Sequence, residues 1–171
     1  MGREQQASGA ALERDLDAFH VNLSSRGWYV QRNHPKDRRT KGPPDYLAIG
    51  HGVSVLFDAK SCKADRWSLH LLKPHQAQAL TAWERAGGRA GIYLRVALDR
   101  PLPGYSGGSV DVWVDWSNVE ARWRTFYATG RADYLTRLDG EPVFGCDWTA
   151  AVLGRGLPGG TAMFPERGGV R

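Results

Sequence analysis

Two aspartates and a lysine stand out in the stretch GPPDYLAIGHGVSVLFDAKSCK, which covers residues 42–63. Asp45 follows two prolines, and Asp58 and Lys60 lie within a segment that otherwise has the composition of a buried strand. Because side chains alternate along a strand, Asp58 and Lys60 project from the same face. Removing an unpaired charge from water costs several kcal/mol. The pattern therefore requires a partner for these charges.

The residues alone leave three interpretations open. In the first, Asp58 and Lys60 lie on a solvated sheet face and form a surface ion pair worth less than about 1 kcal/mol. In the second, Asp45 and Asp58 hold a hard divalent cation such as Mg²⁺, and Lys60 stabilises a reacting group beside it. In the third, the sheet is a DNA-binding surface without catalysis.

The elements that would position these residues are helices and strands in mixed order. Spacings of three and four between apolar residues predict a helix over about 5–26. Pro74 followed by helix formers predicts a second helix as far as the glycines at 87 and 88, and a third is expected over about 117–128. Five strands are predicted, at 28–32, 45–50, 54–60, 89–96 and 109–116. The expected fold is α/β, a mixed five-stranded sheet flanked by helices, with an antiparallel central pair and a helical crossover to the next strand.

Composition limits the domain organisation and the class of partner. A chain of 171 residues, 42% of them hydrophobic, is long enough for one core. We expect a single domain over 1–153, followed by a flexible tail over 154–171 that is rich in Gly, Pro and Arg. The net charge of +5 favours a polyanionic partner.

Cysteine usage and hydropathy indicate where the protein acts. Cys62 and Cys146 are far apart, so neither a zinc ribbon nor a disulfide scaffold is indicated. No stretch of eighteen apolar residues and no signal-like N-terminus is present. We therefore expect no membrane partner and a cytoplasmic location.

The central stretch resembles the signature of the PD-(D/E)xK nuclease superfamily, with Asp45 after Pro44 and then Asp58-Ala59-Lys60 on a strand. Upstream, ALERDLDAFHVNLSSRGWYVQR is similar to the first helix and strand of the archaeal, Hjc-like Holliday junction resolvases. Downstream, the segment from Phe57 to Val96 is similar to RecU-type resolvases, in which an acid-Ala-Lys strand precedes a His-Gln pair and a Gly-Gly turn.

The resemblance covers about residues 10–97 and implies a restriction-endonuclease-like nuclease fold. Beyond about residue 97 the sequence follows neither resolvase type. A combination of archaeal-like and bacterial-like features in a small chain suits a bacteriophage enzyme, which would act in the cytoplasm of its host.

The resemblance also implies a role for each matching residue. Lys60 would be the catalytic lysine, and Gln76 would position the attacking water or the phosphate. The role of His75, beside Gln76, stays open. The cofactor would be Mg²⁺, with Mn²⁺ able to substitute. The metal ligands, which also count as catalytic residues, would be Glu13, Asp45, Asp58 and the carbonyl of Ala59.

The implied activity is that of a Mg²⁺-dependent endonuclease that resolves four-way DNA junctions by paired phosphodiester hydrolysis, acting as a homodimer. The alternatives are a restriction- or repair-type nuclease on duplex DNA and a non-catalytic recombination accessory protein. Residues from Val110 to Tyr127, with several large aromatic side chains, are expected in the core or in the dimer contact. Six cations would contact the DNA backbone, namely Arg32, Lys36, Arg38, Arg39, Lys41 and Arg66.

Overall fold

The structure is a computed structural model that describes residues 3–33, 42–98, 108–143 and 146–154, with side chains from residue 9 onward. Four of the predicted DNA contacts, Lys36, Arg38, Arg39 and Lys41, lie outside the described residues, as does the predicted tail beyond 154. The described helices are α1 (Arg3–Val21), α2 (Pro74–Arg85), α3 (Glu120–Thr129) and α4 (Trp148–Val152). The described strands are β1 (Trp28–Arg32), β2 (Tyr46–Gly50), β3 (Val53–Cys62), β4 (Arg66–Ser68), β5 (Arg89–Ala97), β6 (Ser109–Asp115), β7 (Tyr134–Thr136) and β8 (Glu141–Val143).

Six of these strands form one mixed sheet in the order β1-β2-β3-β5-β6-β8, and β4 pairs with β7 in a separate two-stranded sheet. The neighbours β3 and β5 are parallel, and α2 makes the crossover between them; the other pairs are antiparallel. The predicted α/β class is therefore confirmed, with six strands instead of five. The sixth, β8, has three residues and contains Pro142 at the sheet edge, so it is too short for an alternating pattern.

The two faces of the sheet are covered by different helices. On one face, Leu16 of α1 belongs to the same buried cluster as Phe57 of β3. On the other face, Leu80 of α2 is clustered with Leu56. Side chains alternate along β3, so Asp58 shares the face of Leu56. The predicted acidic residue therefore faces α2, whereas α1 lies on the opposite face.

The turn between β2 and β3 consists of His51 and Gly52. Both have a left-handed backbone, with φ of 50° and 77°. Two consecutive residues with positive φ are typical of the tight hairpin turns that match the twist of antiparallel strands. The turn places Gly50 opposite Val53 and Tyr46 opposite Phe57, so it sets the register of the strand pair.

Two predicted helices differ in their bounds. The helix expected over 5–26 ends at Val21 and is followed by a short 3-10 turn over 24–26, which Gly27 ends with a φ of 79°. The helix expected from 117 begins at Glu120, because residues 116–118 form a 3-10 turn that buries Trp116. No helix among the described residues combines the length and the apolar character that crossing a membrane requires.

The loop expected after β3 contains further structure. It includes β4 and a 3-10 turn, and it contributes Trp67, Leu69 and Leu72 to the core around α2. Farther along, Trp113 and Trp116 are buried as the core interpretation requires, while Trp123 and Phe126 on α3 are half-buried.

Candidate active site

The site lies where β2 begins and β3 continues beyond it. Tyr46, the first residue of β2, pairs with Phe57, so the rest of β3 has no β2 partner on this edge. The side chain of Asp45 takes that place, because its Oδ2 accepts a hydrogen bond from the backbone N–H of Ala59 at 2.9 Å. The N–H and C=O of one strand residue point to the same side. The carbonyl of Ala59 therefore faces the same edge as the Asp45 carboxylate.

Asp58 is fully buried, with no exposed side-chain surface. Its Oδ1 accepts hydrogen bonds from the backbone N–H of Asp45 at 3.3 Å and from Nε2 of Gln76 at 3.1 Å. Its Oδ2 lies 2.5 Å from Nζ of Lys60 but has no hydrogen-bond partner of ordinary geometry among the described residues. The interpretation as a solvated surface ion pair is therefore wrong, since the aspartate has no contact with water.

Lys60 lies between the two carboxylates. Its Nζ is 2.5 Å from Oδ2 of Asp58 and 4.0 Å from Oδ2 of Asp45, and its side chain is 20% exposed. Burial disfavours the ammonium, but the negative charges of Asp58 and Asp45 outweigh burial and raise the pKa of Lys60 above its usual value. Lys60 is therefore a fixed positive charge that remains protonated at neutral pH.

Burial has the opposite consequence for Asp58. Removal from water raises the pKa of Asp58 to about 7, while the ammonium of Lys60 lowers it and the charge of Asp45 raises it further. The lysine thus compensates only part of the cost of ionising Asp58. Any additional cation beside Oδ2 would favour the carboxylate form.

Gln76 connects Asp58 to the first turn of α2. The Oε1 of Gln76 accepts a hydrogen bond from the backbone N–H of Lys73 at 3.1 Å, as in half of a capping box. That bond orients the amide so that Nε2 donates to Asp58. His75, the residue before Gln76, is half-buried, and among the described residues its side chain forms no hydrogen bond to Asp58. The His-Gln pair therefore places Gln76, and not His75, against the carboxylate.

The start of α2 is in turn held by α3. The carbonyl of Leu72, just before Lys73, accepts hydrogen bonds from Nε1 of Trp123 at 3.4 Å and from the hydroxyl of Tyr127 at 3.3 Å. The sequence offered no motif for these two residues beyond their aromatic character. They were expected in the core or at a dimer contact, and the structure shows a contact with the backbone that precedes Gln76.

Glu13 does not form one metal-binding group with Asp45 and Asp58, although its charge is among those that raise the pKa of Lys60. It projects from α1 and forms an ion pair with Arg32, whose Nη1 also lies 2.5 Å from Oδ2 of Asp17. Asp17 further accepts a hydrogen bond from the hydroxyl of Tyr46 at 3.1 Å. Among the described residues, no group of three or more His, Cys, Asp or Glu side chains is arranged to hold a metal ion. The spacing of four residues between Glu13 and Asp17 was the available signal that both face one partner.

The predicted DNA contacts that are described differ in their surroundings. Arg32, at the end of β1 beside the candidate site, is half-buried and forms ion pairs with Glu13 and Asp17. Arg66 is exposed on β4, where its guanidinium carbon lies 4.7 Å from the centre of the Tyr134 ring.

The donors at this edge fit a hard divalent cation. The carboxylate just before β2, the carboxylate on β3 and one backbone carbonyl are oxygen ligands, which Mg²⁺ prefers. One of these oxygens, Oδ2 of Asp58, is buried and has the ammonium of Lys60, at 2.5 Å, as its one partner among the described residues. A bound cation would add to the positive charge that Lys60 supplies there.

The part of the chain that contains this site matches a known protein family. Residues 31–99 match the family of recombination protein U, RecU. This segment contains Asp45, Asp58, Lys60 and Gln76, whereas Glu13 and α3 lie outside it. No match to this chain is found among the curated proteins.

The fold is also found among solved structures. The chain is similar to Hjc, a Holliday junction resolvase from the archaeal hyperthermophile Archaeoglobus fulgidus, with 16% sequence identity and a TM-score of 0.50. The match covers 78% of this chain and 95% of the archaeal one. At this identity the likeness concerns the fold. The chain thus contains a segment similar to the RecU family and has a fold similar to that of an archaeal Holliday junction resolvase, as the resemblance in its sequence predicts.

Proposed function

We propose that this protein is a Mg²⁺-dependent, structure-selective endonuclease that resolves four-way DNA junctions by paired phosphodiester hydrolysis. The observation that supports it most directly is the buried carboxylate of Asp58, 2.5 Å from Lys60 and hydrogen-bonded to the backbone of Asp45, within the segment matched to RecU. A surface that only binds DNA does not need a carboxylate whose burial destabilises the fold.

The proposed roles follow from position. Asp45, Asp58 and the Ala59 carbonyl would hold Mg²⁺, which supplies Lewis-acid stabilisation of the phosphate when bound. Lys60 places its ammonium between the carboxylates, where it would stabilise the negative charge that grows on the phosphodiester oxygens. Gln76 would orient the water or the phosphate through its amide, which the backbone of Lys73 holds in place.

Glu13 would enter the site by exchange of partners. Arg32 is now bound by Glu13 and Asp17, but its guanidinium also suits a phosphate. A DNA phosphate that takes Arg32 would release Glu13 toward the metal. Arg32 would then contact the DNA, together with the predicted contacts Lys36, Arg38, Arg39 and Lys41.

The symmetry of the substrate suggests the assembly. Resolution of a four-way junction requires two nicks, so we expect a homodimer with one site in each subunit. Such an enzyme would act on DNA in the cytoplasm, or in that of a host cell if a bacteriophage encodes it. Light scattering at micromolar protein concentration distinguishes the dimer from a monomer.

Cleavage of an end-labelled four-way junction and of a duplex of the same sequence tests the activity, with Mg²⁺ and with EDTA. We expect paired, symmetric nicks in the junction with Mg²⁺ alone. Lys60→Ala and Asp58→Asn should abolish cleavage and leave junction binding nearly intact. Lys63→Ala, an exposed lysine three residues farther along, serves as the matched control and should cleave normally.

Each other outcome identifies an alternative. Equal cutting of junction and duplex would indicate a general duplex nuclease of the restriction or repair type. Tight junction binding without cutting, in Mg²⁺ and in Mn²⁺, would indicate a non-catalytic accessory protein on a nuclease fold.

A further inference from the structure

The two-stranded sheet of β4 and β7 has an aromatic and cationic outer face. Trp67 and Leu135 pair across the strands and are buried in the core. Because side chains alternate, their neighbours Arg66 and Tyr134 lie on the other face, where the guanidinium stacks 4.7 Å from the ring centre. Tyr134 still keeps 37% of its surface exposed. An exposed aromatic ring with a cation beside it is a stacking surface that the fold itself does not use.

A cavity of about 280 Å³ lies next to this stack, between the second half of α3 and the segment that leads into β7. Phe126 and Arg131 are among the residues that line it. The ring of Phe126 lies 6.5 Å from that of His70, whose Nδ1 is hydrogen-bonded to Ser68 at 2.7 Å, and Ser68 pairs with Tyr134. The stack and the cavity are therefore one continuous surface. We call this surface the aromatic patch and define it as Arg66, Ser68, His70, Phe126, Arg131 and Tyr134.

The charges around the aromatic patch suit an anionic ligand. The two carboxylates at its border, Asp133 and Asp139, are each bound by Arg122 at 2.6 Å. Arg66 and Arg131 are both exposed beyond them. The three arginines outnumber the two aspartates, so the surface attracts phosphate.

The aromatic patch lies on the same side of the main sheet as the candidate active site. Trp67, beneath the patch, shares the buried cluster of Leu56 and α2, which covers the face where Asp58 projects. Arg66 follows Lys60 by six residues, so their Cα atoms are at most about 20 Å apart. A DNA strand at the site would therefore reach the patch within a few nucleotides.

We propose that the aromatic patch binds unpaired DNA, with bases stacked on Tyr134 and Phe126 and phosphates bound by Arg66 and Arg131. This inference rests on the proposed function and adds a source of substrate selectivity to it. Stacking on an aromatic side chain needs a free base face, which a continuous duplex does not offer and separated strands do. The patch would therefore favour DNA whose strands part near the cleavage site.

Binding in EDTA tests the proposal without any cleavage. The probes are a fluorescein-labelled twelve-nucleotide oligothymidine and a duplex of the same length, measured by fluorescence anisotropy with the full chain. Tyr134→Leu should weaken oligothymidine binding about tenfold, in the range measured for loss of one stacked base, and change duplex binding little. Tyr29→Leu, which removes a 60% exposed tyrosine of β1, is the matched control and should bind as the wild type does.

A second variant separates stacking from folding. Tyr134→Trp keeps an aromatic face and should bind oligothymidine at least as tightly as the wild type. Unchanged binding by Tyr134→Leu, or equal losses in Tyr134→Leu and Tyr29→Leu, would overturn the proposal. So would a loss of binding in Tyr134→Trp with an intact fold. If oligothymidine binding depends on Tyr134 while no junction is cut in Mg²⁺, the patch stands and the nuclease assignment fails.

Discussion

Replacement of Asp58 by asparagine should stabilise the metal-free protein at alkaline pH. Burial raises the pKa of Asp58 from 3.8 to about 7, so ionisation of this carboxyl is less favourable in the folded chain than in the unfolded one. The raised pKa of Asp58 therefore contributes its full stabilisation to the folded state below pH 3.8, and this contribution is lost as the pH rises through 7. At about 1.4 kcal/mol per pH unit, the difference corresponds to about 4 kcal/mol.

The value of about 4 kcal/mol is an upper limit, because asparagine leaves Lys60 without its partner at 2.5 Å. The asparagine oxygen can still accept hydrogen bonds from the backbone of Asp45 and from Gln76. We expect Asp58→Asn to gain about 1 to 4 kcal/mol at pH 8. The difference in free energy of unfolding between variant and wild type should fall to less than about 2 kcal/mol at pH 5 and reach zero near pH 4.

Urea unfolding in EDTA, followed by tryptophan fluorescence at pH 8, 6.5 and 5, measures this difference. Asp111→Asn is the control, since Asp111 accepts hydrogen bonds from Tyr93 at 2.7 Å and from Arg95 at 2.7 and 2.8 Å. That carboxylate is compensated, so its replacement should destabilise the protein at every pH. A loss of stability in Asp58→Asn at pH 8, or a gain that does not vary with pH, would refute the reasoning.

Three further predictions concern stability, positioning and metal binding. Burial lowers the pKa of His20 to about 4, and its Nε2 accepts a hydrogen bond from Trp148. The neutral imidazole therefore stabilises the fold fully above pH 6.5, and this stabilisation decreases as the pH falls toward 4. His20→Gln should remove up to about 3 kcal/mol of pH dependence from urea unfolding in that window. The double variant Trp123→Phe with Tyr127→Phe removes both hydrogen-bond donors to the Leu72 carbonyl before α2. Junction cleavage should slow about tenfold with KM unchanged. Cleavage at the wild-type rate would show that Gln76 needs no such support. Adding 10 mM Mg²⁺ should raise the thermal unfolding midpoint of the wild type but not that of Asp58→Asn, as measured by thermal denaturation.

The elements that carry a periodic pattern were predictable from the sequence. Alternation along β3 correctly places Asp58 and Lys60 on one face, and the hairpin brings Asp45 beside them. The crossover from β3 to β5 through α2 was also expected. By contrast, β4, β7 and β8 have three residues each, which is too few to show a period, so the sequence leaves Trp67 open between a DNA contact and the edge of the core, where the structure buries it.

The surroundings of the site were less predictable than its centre. Whether Asp58 faces water or α2 depends on packing across the sheet, which the strand pattern does not contain. The placement of Glu13 depends on which face α1 covers, and its pairing with Arg32 depends on the twist that brings β1 to that helix. These contacts join distant segments, so no local signal in the sequence specifies them.

The tight turn at His51 and Gly52 makes the candidate active site sensitive to insertions far from its reactive residues. Asp45 and Asp58 face each other only because this turn holds the strand register, although it lies roughly 20 Å along β3 from Asp58. A one-residue insertion there would move every following side chain to the opposite face. Asp58 and Lys60 would then both face the packed side of α1, away from Gln76, with every reactive residue still present in the gene. An insertion in this hairpin would therefore abolish the proposed activity without replacing any of the reactive residues.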